Sequence, residues 1–159
     1  TDLYKNFEKW VENICYVPQS VYIYDENIKQ NITLEKDENL IDQERLNKAI
    51  KTSRLESFID NLPSKLNTNL GEVGDKISGG QKQRIGIARA VYKDAKIMIF
   101  DESTNALDKK TEIEVLNNLK EISKYKTIIF ATHSVDIINN ISDQLISIEN
   151  GKLNSEGKI

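Results

Sequence analysis

Lys96-Ile97-Met98-Ile99-Phe100-Asp101-Glu102 is an apolar run closed by two adjacent acids. Lys96 to Phe100 has the length and continuous hydrophobicity of a buried parallel strand, which puts both acids at its carboxyl end. Thr127-Ile128-Ile129-Phe130-Ala131-Thr132 repeats the pattern with His133 at its carboxyl end, and Gln144-Leu145-Ile146-Ser147-Ile148 gives a third strand. Between them Thr111 to Ile122 is amphipathic at helical spacing, and Asp136 to Ile141 suits a short helix. Strand, helix, strand, helix, strand predicts an α/β fold with a largely parallel sheet, in which ligands gather at the carboxyl ends of strands. Asn150-Gly151 is a two-residue hairpin signal leading into Lys152-Leu153.

Upstream, Asn13 to Val17 reads as a short buried strand that Pro18 ends, leaving Gln19 at the strand exit. The middle of the chain reads as helical. A short helix is expected around Ile28 to Ile32, a second starts on Asp42 as N-cap and runs through Leu46, Ala49 and Ile50, and a third spans Leu55 to Leu62 before Pro63. Ser78-Gly79-Gly80-Gln81 is a capping box whose two inner positions carry no side chain. Glycines in a first helical turn cost roughly 0.5–1 kcal/mol each relative to alanine. What they permit is close approach of a phosphate to the N–H groups of a helix start, and the alternative is a glycine loop entering an ordinary helix.

Composition bounds the function. A chain of 159 residues with 38% hydrophobic and 30% charged content supports one core and one domain. A net charge of −3 and a pI near 5.3 give no support for a nucleic-acid surface. The single cysteine, Cys15, excludes an internal disulfide, reads as a buried thiol and fits a reducing compartment. No apolar stretch reaches the roughly 18–20 residues of a membrane span and no signal-peptide pattern opens the chain, which therefore reads as soluble.

Four polar residues stand where chemistry is expected. Successive strand side chains point to opposite faces, so Asp101 and Glu102 can divide two tasks, one serving a cation and the other water. A solvated strand end is the plainer alternative. His133, the only histidine, is a packing or surface residue or else a contact for a terminal phosphate and its attacking water. Gln19 is a loop residue or a contact to Mg²⁺ or water.

Taken in order, these pieces resemble the nucleotide-binding domain of ABC transporters, from Tyr16 to Gly157. Tyr16-Val17-Pro18-Gln19 is similar to the Q-loop, Ile77-Ser78-Gly79-Gly80-Gln81 to the signature motif, and Ile97 through Glu102 to Walker B. Asn105-Ala106-Leu107-Asp108 resembles the D-loop and His133 the switch histidine. Val21-Tyr22-Ile23-Tyr24 and Glu72-Val73-Gly74 resemble exporter segments, although Ile77 replaces a common leucine and Asn105 a frequent serine. Ser134 after His133 resembles relatives that flip lipid-linked glycans.

The resemblance implies a P-loop NTPase-like core remnant (residues 1–18 and 94–159) with an α-helical subdomain (residues 19–93). It implies ATP and Mg²⁺ as ligands, a second such domain bound head to tail, a transmembrane domain as partner and a place at the cytoplasmic face of a membrane. Asp101 and Gln19 would then serve the metal. Glu102 would act as general base, helped by His133 and Gln19, while Ser78, Gly79, Gly80 and Gln81 met the partner's nucleotide and Asp108 the dimer interface. Gly-x-x-x-x-Gly-Lys-Ser/Thr occurs nowhere in the 159 residues, so the expectation is a carboxyl-terminal portion that hydrolyses no ATP alone. A soluble ATPase of DNA repair or translation, or a non-catalytic regulatory domain, would be the alternatives.

Overall fold

A computed structural model describes residues 7–71 and 77–158. The first element is a short helix, α1 (Phe7–Asn13), which runs directly into strand β1 (Ile14–Val17). The sequence reading has no helix there. Lys93 Nζ donates to the carbonyls of Val11, in the last turn of α1, and Ile14, the first residue of β1, at 2.9 and 2.8 Å, which places a cation at the helix end. Three helices follow: α2 (Ile28–Thr33), α3 (Gln43–Thr52) and α4 (Glu56–Asp60). Asn27 and Gln30 form a reciprocal capping box at α2, and Asp42 Oδ1 accepts from the Arg45 N–H at 3.0 Å at α3. α4 ends at Asp60, short of the expected Leu62, and Leu55 at its start is fully buried and makes no side-chain cap.

α5 (Gly79–Lys93) begins on the capping box read from the sequence. Ser78 Oγ accepts from the Gln81 N–H at 3.2 Å, and Gln81 Oε1 accepts from the Ser78 N–H at 2.9 Å. This helix is the centre of the core, with Ile85, Ile87, Ala88 and Ala90 fully buried. At Gly86 the chain after β1 lies directly on the helix backbone: a Cβ there would stand 2.6 Å from Val21 Cγ2 and 3.2 Å from Val17 Cγ1.

The remaining elements are β2 (Ile97–Asp101), α6 (Lys109–Ser123), β3 (Thr127–Ala131), α7 (Val135–Asn140), β4 (Gln144–Glu149) and β5 (Lys152–Lys158). β1, β2 and β3 form a parallel sheet in that order, with Tyr16 opposite Ile99 and Asp101 opposite Ala131. Met98 and Phe100 of β2 join α5 and the α6 residues Val115 and Leu119 in one core, and Phe100 stacks on Phe130 with ring centres 5.3 Å apart.

Two further expectations change. The runs read as buried strands are covered on one face: Ile97, Ile99 and Cys15 are half-buried, and Tyr16 and Ile129 are exposed. Hydrophobicity on both faces of a strand does not say what covers them. Gln144–Glu149 also leaves the parallel series, because it pairs antiparallel with β5 in a separate two-stranded sheet. Asn150 (φ 50°) and Gly151 (φ 73°) make a tight turn, and two positive φ values close a hairpin on its sequence neighbour.

Candidate functional site

The site forms where β2 and β3 end. Asp101 is the last residue of β2, and Glu102 leaves the strand in the left-handed conformation, φ 46°. That conformation costs a non-glycine residue on the order of 1 kcal/mol and is concentrated at functional positions. The Glu102 N–H donates to the Ala131 carbonyl at 2.9 Å, which carries the β2–β3 ladder one step past Asp101. His133, two residues beyond Ala131, thereby comes alongside Glu102. Thr132 Oγ1 accepts from the Ser134 N–H at 3.0 Å and shapes the intervening turn.

Three side chains converge on the Glu102 carboxylate. Gln19 Nε2 donates to Oε2 at 2.8 Å, Asn105 Nδ2 donates to the same oxygen at 3.3 Å, and His133 Nε2 pairs with Oε1. The Glu102 side chain is 21% exposed and that of His133 is 85% exposed, so the cluster opens to solvent on the histidine side. Asp101 has a partner of its own: the Tyr16 hydroxyl donates to Oδ2 at 2.6 Å. That hydrogen bond, followed by slight desolvation and the nearby carboxylate charge, raises the Tyr16 phenol above its ordinary value.

A second group lies around Ala106. Gln83, 5% exposed, accepts from the Ala106 N–H through Oε1 at 2.8 Å. A Cβ built on Gly80 would stand 2.7 Å from the Ala106 carbonyl oxygen. The chain's own backbone therefore requires one of the two glycines that the sequence reading reserves for a phosphate. The capping box occupies Ser78 and Gln81, and helix geometry leaves the Gly79 and Gly80 N–H groups pointing out of the helix end. Asp108 caps α6, its Oδ1 accepting from the Thr111 N–H at 3.0 Å. Gln19, Glu102 and His133 are thus brought together and Asp101 stands beside them on Tyr16, whereas among the described residues no hydrogen bond joins the Ser78 to Gln81 helix start or Asp108 to that cluster.

The ABC transporter family profile matches residues 2–105. The chain belongs to the ABC transporter family. It is 38% identical over 145 residues to an ATP-dependent lipid A-core flippase of Ralstonia nicotianae, which covers 91% of this chain and 24% of that protein. A flippase of the same description from Pseudoalteromonas translucida is 39% identical over 159 residues, 99% of this chain and 26% of that one. Among solved structures, a bacterial Atm1-family ABC exporter with ATP bound superposes with a TM-score of 0.85 at 31% identity, covering 95% of this chain and 26% of the exporter. The chain thus spans 24–26% of the length of these relatives and shares the α/β fold of that exporter's corresponding part.

Within this ABC fold the described residues hold no group of three or more His, Cys, Asp or Glu arranged around a metal. The donor set nevertheless suits Mg²⁺ in one respect. The ion takes one or two carboxylate oxygens and completes its shell with water and phosphate oxygens, and Asp101 has one oxygen engaged by Tyr16 and the other without a hydrogen-bond partner among the described residues. The exporter-like loop Glu72-Val73-Gly74 lies outside the described residues.

Sequence reasoning missed three members of the site. Gln83 carried a signal, because it shares a helix face with Ile87, Ala90 and Val91 and so stands as a polar residue on an apolar stripe. Tyr16 sits in an apolar run and gives none. Asn105 stands out in the sequence only as a departure from the usual D-loop, and its amide reaches the Glu102 carboxylate.

Proposed function

We propose that the chain is part of the ATP-hydrolysing motor domain of an ABC exporter, with residues 19–93 as its helical subdomain and residues 1–18 and 94–159 as parts of the ATP-binding core. The observation that carries this reading is the Glu102 carboxylate held by Gln19, Asn105 and His133 beside Asp101 at the carboxyl end of a parallel strand. Glu102 is the general base for the attacking water, a role typically worth about 10²–10⁴-fold. His133, on the solvent side of Glu102, positions that water and the terminal phosphate, and Gln19 adjusts to both. Asp101 and Gln19 would hold Mg²⁺, which when bound would offset the negative charge of the phosphates.

The outward N–H groups of Gly79 and Gly80, with Ser78 and Gln81 fixing the helix start, receive the phosphate of a nucleotide carried by a second domain placed head to tail. Asp108 lies at that interface. The partner on the membrane side is a transmembrane domain, with this chain on the cytoplasmic face; no described helix is long and apolar enough to cross a membrane. The proposed cargo is a lipid-linked glycan or a similar amphiphile, supported by the lipid A-core flippases among the relatives and by Ser134 after His133. The 159 residues contain no phosphate-cradling Gly-x-x-x-x-Gly-Lys-Ser/Thr loop, so hydrolysis is a property of the longer protein.

The test uses that full-length protein in lipid. Glu102→Gln is expected to lower ATP turnover at least about 100-fold while ATP still drives the two domains together, because the amide cannot take a proton. An unchanged hydrolysis rate would remove Glu102 from the base role.

A further inference from the structure

The two halves of the site, the α5 start and the Glu102 cluster, are joined by one buried amide. We infer that Gln83 is a positioning residue for hydrolysis: it ties the turn at Gln19, the strand end at Glu102 and the loop at Ala106 into one unit that fixes where the Glu102 carboxylate stands. The inference rests on the reading of Glu102 as the base.

Gln83 Oε1 accepts from the Ala106 N–H at 2.8 Å. Its Nε2 lies 3.4 Å from the Glu102 carbonyl and 3.5 Å from the Gln19 carbonyl, long contacts that one NH₂ group shares between two acceptors. These partners dictate which way the amide points, since a reversed amide would set NH₂ against an N–H and oxygen against two carbonyls. All three segments bear on the same carboxylate. Gln19 and Asn105, the residue before Ala106, donate to Glu102 Oε2, while Glu102 itself is the residue held at φ 46°. Gln83 touches neither the carboxylate nor any reacting atom; it holds the backbones from which the carboxylate and its two amide partners project.

The same amide links the other half of the site. α5 meets both sides of the Ala106 residue, Gln83 taking its N–H and Gly80 abutting its carbonyl at a spacing that leaves no room for a Cβ. A displacement of Ser78, Gly79 or Gly80 by a partner's phosphate is therefore passed to Ala106, and through Asn105 and Gln83 to Glu102. At 5% exposure Gln83 is largely shielded from solvent, which makes its bonds costly to leave unmade.

The experiment is steady-state ATP hydrolysis by the full-length transporter carrying Gln83→Met, which keeps the length of the side chain and removes its donors and acceptor. Expected is a fall in kcat of at least about tenfold with KM for ATP changed less than about threefold, since misplacing a catalytic group by an ångström can cost 10²-fold. A purely structural role would lower the unfolding midpoint and the yield but leave kcat per folded molecule at the wild-type value, and that result overturns the inference, as does a rise in KM with kcat intact. Should Gln83→Met fail to fold, Gln83→Glu decides the question. It keeps the acceptor for Ala106 and turns oxygen toward both carbonyls; the same loss of kcat is expected, and wild-type turnover overturns the inference. Glu102→Gln measured alongside separates the two readings: retained turnover there removes the base, whereas its loss beside a fully active Gln83→Met removes Gln83 alone.

Discussion

Tyr16 and Asp101 sit on neighbouring strands and are 85 residues apart in sequence, yet the phenol donates to the carboxylate at 2.6 Å. Ionising that phenol breaks the bond and places a second negative charge beside Asp101, which is why it titrates above its ordinary value. A raised folded-state value means that the bond stabilises the fold below the ordinary phenol value, about pH 10, and that this contribution is lost as pH rises through the raised value. Asp101→Asn is expected to bring the Tyr16 titration down toward the ordinary value, as followed by ¹³C NMR of the tyrosine ring. An unmoved titration would show that another group causes the shift. The acids and His133 were legible in the sequence as residues at strand ends. The groups around them were less so: Tyr16 is polar at one end only and sits in a run that reads as apolar, and Gln83 stands between Lys82 and Arg84, where a polar side chain is expected to face solvent and not to be buried against Ala106.

Helix starts and close helix contacts make up the next scale. Asp42 and Ser78 cap the helices expected of them, and Asp108 caps α6 three residues ahead of the expected Thr111 start. The Thr111 hydroxyl and N–H, hydrogen-bonded to the Asp108 carboxylate, hold it below the ordinary carboxyl value. The cap therefore contributes in full above about pH 4 and is lost as pH falls through the depressed value. Chemical unfolding of Asp108→Asn, whose neutral amide can still cap, is expected to show a shallower loss of stability between pH 4 and 2 than the wild type; parallel curves would exclude this contribution. Gly86 offers a contest of magnitudes. Alanine gains up to about 1 kcal/mol of helix propensity, but its Cβ would meet Val21 and Val17 at 2.6 and 3.2 Å, and overpacking costs about 1–3 kcal/mol. Gly86→Ala is expected to lower stability by about 1 kcal/mol in urea unfolding, and a gain would show that Val21 gives way freely.

At the scale of the molecule, α5 connects the helical middle of the chain to the sheet. Near its end Arg89 donates to the Asn31 carbonyl at 2.6 Å, the Tyr22 carbonyl at 2.7 Å and Asn31 Oδ1 at 3.0 Å, and its guanidinium lies 5.3 Å from the centre of the Tyr24 ring. Arg89 and Gln83 thus hold the chain from Gln19 to Asn31 from two points on one helix. A lysine has the charge but not the planar fork, so Arg89→Lys is expected to destabilise the protein by about 2 kcal/mol, read from the urea midpoint. An unchanged midpoint would mean that the bonds are replaced by water at no cost.

The sequence by itself determined the helix starts at Asp42 and Ser78, the strand runs, the hairpin turn and the order of the motifs. Each of these rests on hydrogen bonds and side-chain periodicity within a few residues, where chain connectivity already puts the partners in reach. Only the tertiary structure decided that Gln144–Glu149 pairs with β5 and stays out of the parallel sheet, that Gly80 is required by the Ala106 carbonyl, that Tyr16 and Asn105 donate to the Asp101 and Glu102 carboxylates, and that Gln83 meets the backbones of Gln19, Glu102 and Ala106. Those outcomes depend on which distant backbones pack together, and hydrophobicity, which brings them together, is non-directional and carries no record of the partner.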